Sequence, residues 1–238
     1  MKVLIACEES QRVCIEFRKL GHEAYSCDIV RCSGGHPEWH ILSNALSVLG
    51  GGVMRLQNGK KLNIEHWDLI IAHPPCTYLS NAATSQHSLK ATPENQIEGR
   101  TIQRIQAMDF FMRCIQAPAE KIAVENPVGI MNTAFRAPDQ IIEPYMFAND
   151  TDDAENYVTK RTCLWLKGLP KLKGRNLPRP DNAKLNGRWA NGKAKYWTEG
   201  FPRDPTVRSK TFPGVARAMA KQWGIPSEEV VPMSAQKE

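Results

Sequence analysis

The sequence predicts a doubly wound α/β domain, and three observations carry that expectation. Short runs that are almost wholly apolar ("KVLIAC", "WDLIIA", "KIAVEN") recur along the chain, as strands covered on both faces of a mostly parallel sheet require. Between them lie segments whose apolar residues return at helical spacing. The runs also end on chemically distinctive residues, Cys7-Glu8, Asp28, Pro74-Pro75-Cys76 and Glu125-Asn126-Pro127, and the strand ends of such sheets are where ligands bind.

Taken in order, "KVLIAC" is the first strand and "SQRVCIEFRKLG" the first helix, with Val13, Phe17 and Leu20 on one face before a glycine stop. "HEAYSCDI" is a second strand ending in Asp28, and "EWHILSNALSVLGGG" a short strand and helix closed by glycines. "WDLIIAHPP" is the fourth strand. A polar loop, "TYLSNAATSQHSLKATPENQIEGR", leads into the helix "TIQRIQAMDFFMRCIQA", where Ile102, Ile105, Met108, Phe111 and Met112 line one face. "KIAVENP" and "RTCLWLKGL" supply further strands. From Pro170 to Pro205 glycine, proline, asparagine and charge dominate with no sustained period, which predicts a loop-rich insertion. The expected division is a catalytic core over 1–168, a short basic nucleic-acid recognition insertion over 169–205, a helix returning to the core over 206–224 and a frayed tail over 225–238.

With 238 residues, 42% hydrophobic and 24% charged, the composition is globular, and no apolar run approaches the ~18 residues of a membrane span. The start, "MKVLIACEES", turns acidic too early for a secretory signal, so a cytoplasmic protein with no membrane partner is expected. Seven cysteines, mostly within apolar segments, suit reduced core thiols. "CDIVRCSGGHPEWH" brings Cys27, Cys32, His36 and His40 near one another, but the spacing is not a zinc pattern and Cys27 closes a strand, so no metal is expected.

Charge is strongly partitioned. Residues 1–155 hold 14 Lys and Arg against 19 Asp and Glu, whereas residues 156–224 hold 16 against 3, interleaved with Trp189, Tyr196, Trp197 and Phe201. Cations neutralise phosphates and aromatic rings accept base faces, so this third of the chain suits a nucleic acid; a solvated basic surface is the plainer alternative. Arg175, Arg188, Lys193 and Lys195 are the expected phosphate contacts.

The strand ends carry the chemistry. Two prolines fix φ and remove two backbone donors, so Cys76 is presented from a stiff turn as a candidate nucleophile, unless it is only a buried thiol. Glu125 ends another buried strand, where a carboxyl group can donate or accept a proton, or can merely cap a loop or pair with an arginine.

The run "DLIIAHPPCTYLSNAA", with Glu125-Asn126-Pro127, "TKRTCLWLKG" and "SKTFPGVARAMA", resembles the motif series of the DNA cytosine-C5 methyltransferases, in a compact, bacteriophage-type form. The resemblance implies a Rossmann-like methyltransferase sheet, S-adenosylmethionine as cofactor and DNA as partner. It implies that Cys76 attacks C6 of a cytosine, that Glu125 stabilises protonation at N3, and that Arg161 is the cation on the late strand. Ser80 and Asn126 would join Arg175, Arg188, Lys193 and Lys195 in binding substrate. Cys7, Glu8, Ser10, Asp28, Ile29, Asn44 and Pro74 would line the cofactor, Asp28 receiving the ribose hydroxyls. The first loop departs from the family in having no glycine, and Asn44 stands where an aspartate is common. His73 replaces a small residue, leaving it either a cofactor contact or a packing residue.

Three other readings of these residues stand beside this one. An amino-methyltransferase has Asp/Asn-Pro-Pro-Tyr/Phe at the fourth strand, and His73-Pro-Pro-Cys lacks both its polar lead and its ring. A cytidine nucleotide or RNA C5-methyltransferase keeps the thiol chemistry and suits the short recognition region. A catalytically silent nucleic-acid-binding protein of the same fold suits the glycine-free first loop.

Overall fold

A computed structural model of the chain describes residues 1–84, 93–195 and 209–225. Nine strands are described: β1 (Lys2–Ala6), β2 (Glu23–Asp28), β3 (His40–Leu42), β4 (Gly52–Arg55), β5 (Lys61–Ile64), β6 (Leu69–Ala72), β7 (Lys121–Pro127), β8 (Gln140–Ile142) and β9 (Thr162–Lys167). Seven form one sheet in the order β3-β2-β1-β6-β7-β9-β8, and β4 with β5 forms a separate antiparallel hairpin. Within the large sheet every pairing is parallel except those of β9, which runs against both neighbours. Mixed α/β architecture with a mostly parallel central sheet, compatible with a Rossmann-like fold, is therefore what the chain adopts.

The described helices are α1 (Arg12–Lys19), α2 (Asn81–Thr84), α3 (Glu94–Ile115), α4 (Met131–Ala134), α5 (Asn182–Asn186) and α6 (Pro213–Trp223). Alternation along the strands explains why their sequences are apolar throughout. Val3, Ile5, Leu69 and Ile71 pack with Val13, Phe17, Met219 and Trp223 of α1 and α6, while Leu4, Ala6, Ile70 and Ala72 pack on the other face with Phe111 and Cys114 of α3. Because β1 pairs with β2 on one side and β6 on the other, sheet growth changes direction between β1 and β6, the switch point where α/β sheets open a crevice.

Several elements differ from expectation. "NALSVL" makes only a 3-10 turn, Ala45–Ser47, capped by the Asn44 side chain, because glycines follow too soon for a helix. The next stretch folds into the β4–β5 hairpin around Asn58-Gly59, a dipeptide that favours hairpin turns and whose glycine has φ of 88°. Helix α3 begins at Glu94, inside the expected loop, and its first turns are solvated, leaving Ile102 and Ile105 49% and 61% exposed while Phe111, Cys114 and Ile115 are buried. Strand β8, three residues long, lies outside the expected set of strands.

The expected insertion starts inside the fold. Leu172 is buried, and its backbone N–H and C=O are both held by the Gln140 amide, at 2.8 Å each; Gln222 clamps Lys173 in the same way, at 2.8 and 2.9 Å. The helical turn α5 follows within the same span, and residues 196–208 lie outside the described residues. Cys14, Cys27, Cys114 and Cys163 are buried, burial pushing the Cys27 and Cys114 thiols up to about 12. His40 is buried with its ring nitrogens on Ser26 Oγ (2.9 Å) and the Val30 carbonyl (3.0 Å). Among the described residues no helix is long and apolar enough to cross a membrane.

Candidate active site

The loop after β6 is built by hydrogen bonds from three directions. His73 N–H donates to the Ala6 carbonyl at 2.9 Å, which ties the loop to the end of β1. Pro74 is buried, and its carbonyl accepts from Asn126 Nδ2 at 2.8 Å, which ties it to β7. The Cys76 carbonyl then accepts the N–H groups of Leu79 and Ser80, at 3.0 and 3.1 Å, closing a tight turn. Of the seven cysteines only Cys76 is exposed.

That turn is fastened to the segment just beyond β7. Ile130 N–H donates to the Leu79 carbonyl at 2.8 Å, Asn81 N–H to the Val128 carbonyl at 3.1 Å, and Ser80 bridges Gly129. The backbones approach so closely that a Cβ on Gly129 would collide with the Leu79 carbonyl oxygen. Glycine is required here for the contact that fastens the turn after Cys76 to the segment after Glu125.

Glu125 and His73 meet across this junction, His73 Nδ1 lying 2.9 Å from Glu125 Oε2. Burial opposes the charged form of each. For His73 the hydrogen bond and charge of Glu125, with Glu8 adding, outweigh burial and raise the imidazole above the ordinary histidine range, against Lys160. For Glu125 burial is likewise outweighed, by the same bond, the His73 charge and Lys160, so its carboxyl is held below the ordinary range. Each partner thus favours the charged form of the other against the burial they share. Among the described residues, His73 Nε2 and Asn126 Oδ1 are buried without a hydrogen-bond partner.

The chain matches no protein-family model and no curated protein.

Asp28 and Ile29 of the expected cofactor residues lie at the end of β2, and Cys7 lies just after β1. Asp28 ends β2, uses Oδ1 on the Val30 N–H at 3.0 Å, and stands beside Ile29, which is 75% exposed. Cys7 takes a left-handed conformation (φ 61°), as does Gln11 (φ 58°), which is how a loop without glycine turns from β1 into α1. Gln11 braces it, its amide bonding both the N–H and C=O of His36 at 3.0 and 2.9 Å.

Other expected residues have structural work. Glu8 is buried, its oxygens accepting the Val13 and Cys14 N–H groups at 2.6 and 3.2 Å, so the first amides of α1 are met by the chain's own carboxylate and not by a cofactor. Burial raises Glu8 despite His73 and those amides. Ser10 is also buried, and Asn44 is a cap. Asn126 is 2% exposed and acts on Pro74, which places it behind the site. Ser80 contributes its backbone to the junction.

Ahead of β9, Lys160 is the cation whose charge acts on Glu125. It lines a cleft with Glu125, Thr162, Lys210 and Phe212, whereas Arg161 is exposed. Side chains alternate along extended backbone, so Lys160 and Thr162 share the cleft side and Arg161 takes the other; parity along "KRTCLWL" is the signal that separates the two cations. Arg175 is fastened to the 146–149 loop through the Met146 and Asn149 carbonyls. Arg188, Lys193 and Lys195 instead share one small hairpin, closed by Trp189 N–H to the Lys193 carbonyl and Lys195 N–H to the Gly187 carbonyl, with Lys195 Nζ 4.9 Å from the Trp189 ring centre.

Proposed function

We propose that this chain is an S-adenosylmethionine-dependent DNA cytosine-C5 methyltransferase. The observation that carries the proposal is the mounting of an exposed thiol, Cys76, on a turn fastened to the strand that delivers Glu125, at the carboxyl edge of a mostly parallel sheet. Nucleophile and acid-base group from neighbouring strands are what conjugate addition to a pyrimidine requires.

Cys76 Sγ adds to C6 of the cytosine. The thiol proton passes by way of Glu125 Oε1 to N3, and Oε1 then accepts from N3–H while Oε2 stays on His73, so that the electron pair released from the C5–C6 double bond by the addition collects at C5. Asp28 and Ile29 would hold the adenosine half of the cofactor, with Cys7 and the Pro74 backbone beside it. When bound, the cofactor supplies an electrophilic methyl group. A base inside a duplex cannot reach a thiol at a sheet edge, so a flipped or single-stranded cytosine is implied. The hairpin bearing Arg188, Lys193, Lys195 and the 46%-exposed Trp189 offers phosphate contacts and a stacking face.

DNA carrying 5-fluorocytosine should trap the protein as a denaturation-stable adduct in the presence of S-adenosylmethionine, and Cys76→Ser should abolish it. Tight DNA binding without any adduct would instead identify a binding protein. N4-methylcytosine or N6-methyladenine in product digests would identify an amino-methyltransferase, and adducts only with nucleotide or RNA substrates would move the substrate class.

A further inference from the structure

The proposed reaction needs one group that Cys76 and Glu125 do not supply, an acceptor for the proton lost from C5. Most proton-active neighbours are committed. Glu8 is occupied by the Val13 and Cys14 amides, Asp28 lies at the β2 end with Oδ1 on Val30, and Cys7 is held as a thiol by burial and by Cys114, Asp28 and Cys27. His73 differs from all of these. Its side chain is 9% exposed, Nδ1 is fixed on Glu125 at 2.9 Å, its backbone is fixed on Ala6, and Nε2 is buried with no hydrogen-bond partner among the described residues. With Asn126 Oδ1 it is one of two buried polar atoms left open at this junction, and of the two only Nε2 can take up a proton, so it is where a ligand's proton can be received.

Resting on the function proposed above, we propose that His73 is the general base of this site: its Nε2 takes the proton leaving C5, while Glu125 orients the ring and balances the imidazolium that forms. A carboxylate accepts only, so Nδ1 carries the hydrogen toward Glu125 and the neutral ring presents the Nε2 lone pair. In the step, the C5–H bond breaks and its electron pair forms the C5–C6 double bond. The C6–Sγ bond breaks and its pair returns to Cys76 as thiolate; the proton resides on Nε2 and passes to solvent after release. The charged groups acting on His73 are Glu125 from β7, Glu8 from the β1–α1 loop and Lys160 ahead of β9. The two carboxylates favour imidazolium, so the base form should grow only as pH rises beyond the ordinary histidine range.

The test uses the full chain and follows release of tritium from 5-³H-cytosine DNA into water without cofactor, beside trapping on 5-fluorocytosine DNA with cofactor. His73→Asn keeps an N–H donor for Glu125 and removes the base. It should slow exchange by ~10²-fold or more and flatten the rise of exchange with pH, yet still trap. Exchange at the wild-type rate would overturn the proposal. Loss of trapping together with exchange would also overturn it, because His73 would then act before the C5 step. If the wild type neither traps nor exchanges, the proposed function fails and the role of His73 falls with it, an outcome distinct from failure in His73→Asn alone.

Discussion

At the scale of the residue, the His73–Glu125 pair should be visible in stability as well as in reactivity. Glu125 is lowered from an ordinary 4.5, so its contribution is present above that value and is lost as pH falls through its folded-state titration. His73 is raised from 6.5, so its contribution is complete below 6.5 and is lost as pH rises through the folded value. Glu8, whose carboxyl is raised from 4.5 by burial, adds a separate loss as pH rises above 4.5 through its own folded-state titration. Urea unfolding across pH 4 to 9 should therefore show the stability difference between wild type and His73→Asn greatest between about pH 5 and 6.5 and shrinking above that range. An identical alkaline decline in the variant would mean that the pair does not titrate with folding. His73→Ala is the harsher change. It leaves Glu125 buried without its partner and should cost about 3 kcal/mol or more.

At the scale of the element, the junction between the Cys76 turn and the segment after β7 depends on one missing side chain. Gly129→Ala places a Cβ against the Leu79 carbonyl and must push the two backbones apart, at a cost of about 1–3 kcal/mol. The turn carrying Cys76 moves with Leu79, so trapping on 5-fluorocytosine DNA should fall further than the loss of stability alone would cause; unchanged trapping rates would dissociate thiol placement from this contact. The same junction shows what a sequence can disclose. Strands β1, β6 and β7 are legible because burial on both faces makes them apolar throughout, and Cys76 and Glu125 are legible because they end those runs. The His73 contact is not, since it joins residues 52 apart in the chain through the pairing of β6 with β7. Choosing Lys160 over Arg161 likewise needs the pairing of Thr162 with Pro127, which sets which side chains share the cleft. Hairpin β4–β5 and strand β8 escape because short, half-exposed strands lack the continuous apolar run that marks the others.

At the scale of the whole molecule, charge and topology divide the labour. The switch point between β1 and β6 gathers Cys7, His73 and Cys76 from acidic residues 1–155, whereas the cations concentrate in residues 156–224. Under the proposed function the second region provides attraction and the first provides chemistry. Arg188, Lys193 and Lys195 lie on one hairpin with Trp189, while Arg175 is tied elsewhere by its own backbone and guanidinium. If the hairpin lies along the DNA backbone, replacing its three cations by glutamine should flatten the dependence of log K on log salt by about 0.9 for every duplex phosphate that the variant no longer neutralises. Arg175→Gln should change the slope less, because Arg175 Nη1 already donates to the Asn149 carbonyl at 2.7 Å. Binding titrations between about 50 and 200 mM salt separate the two cases. A slope unchanged by the triple substitution would place the DNA path away from the hairpin, whereas a slope reduced only by Arg175→Gln would move it to the 146–149 loop.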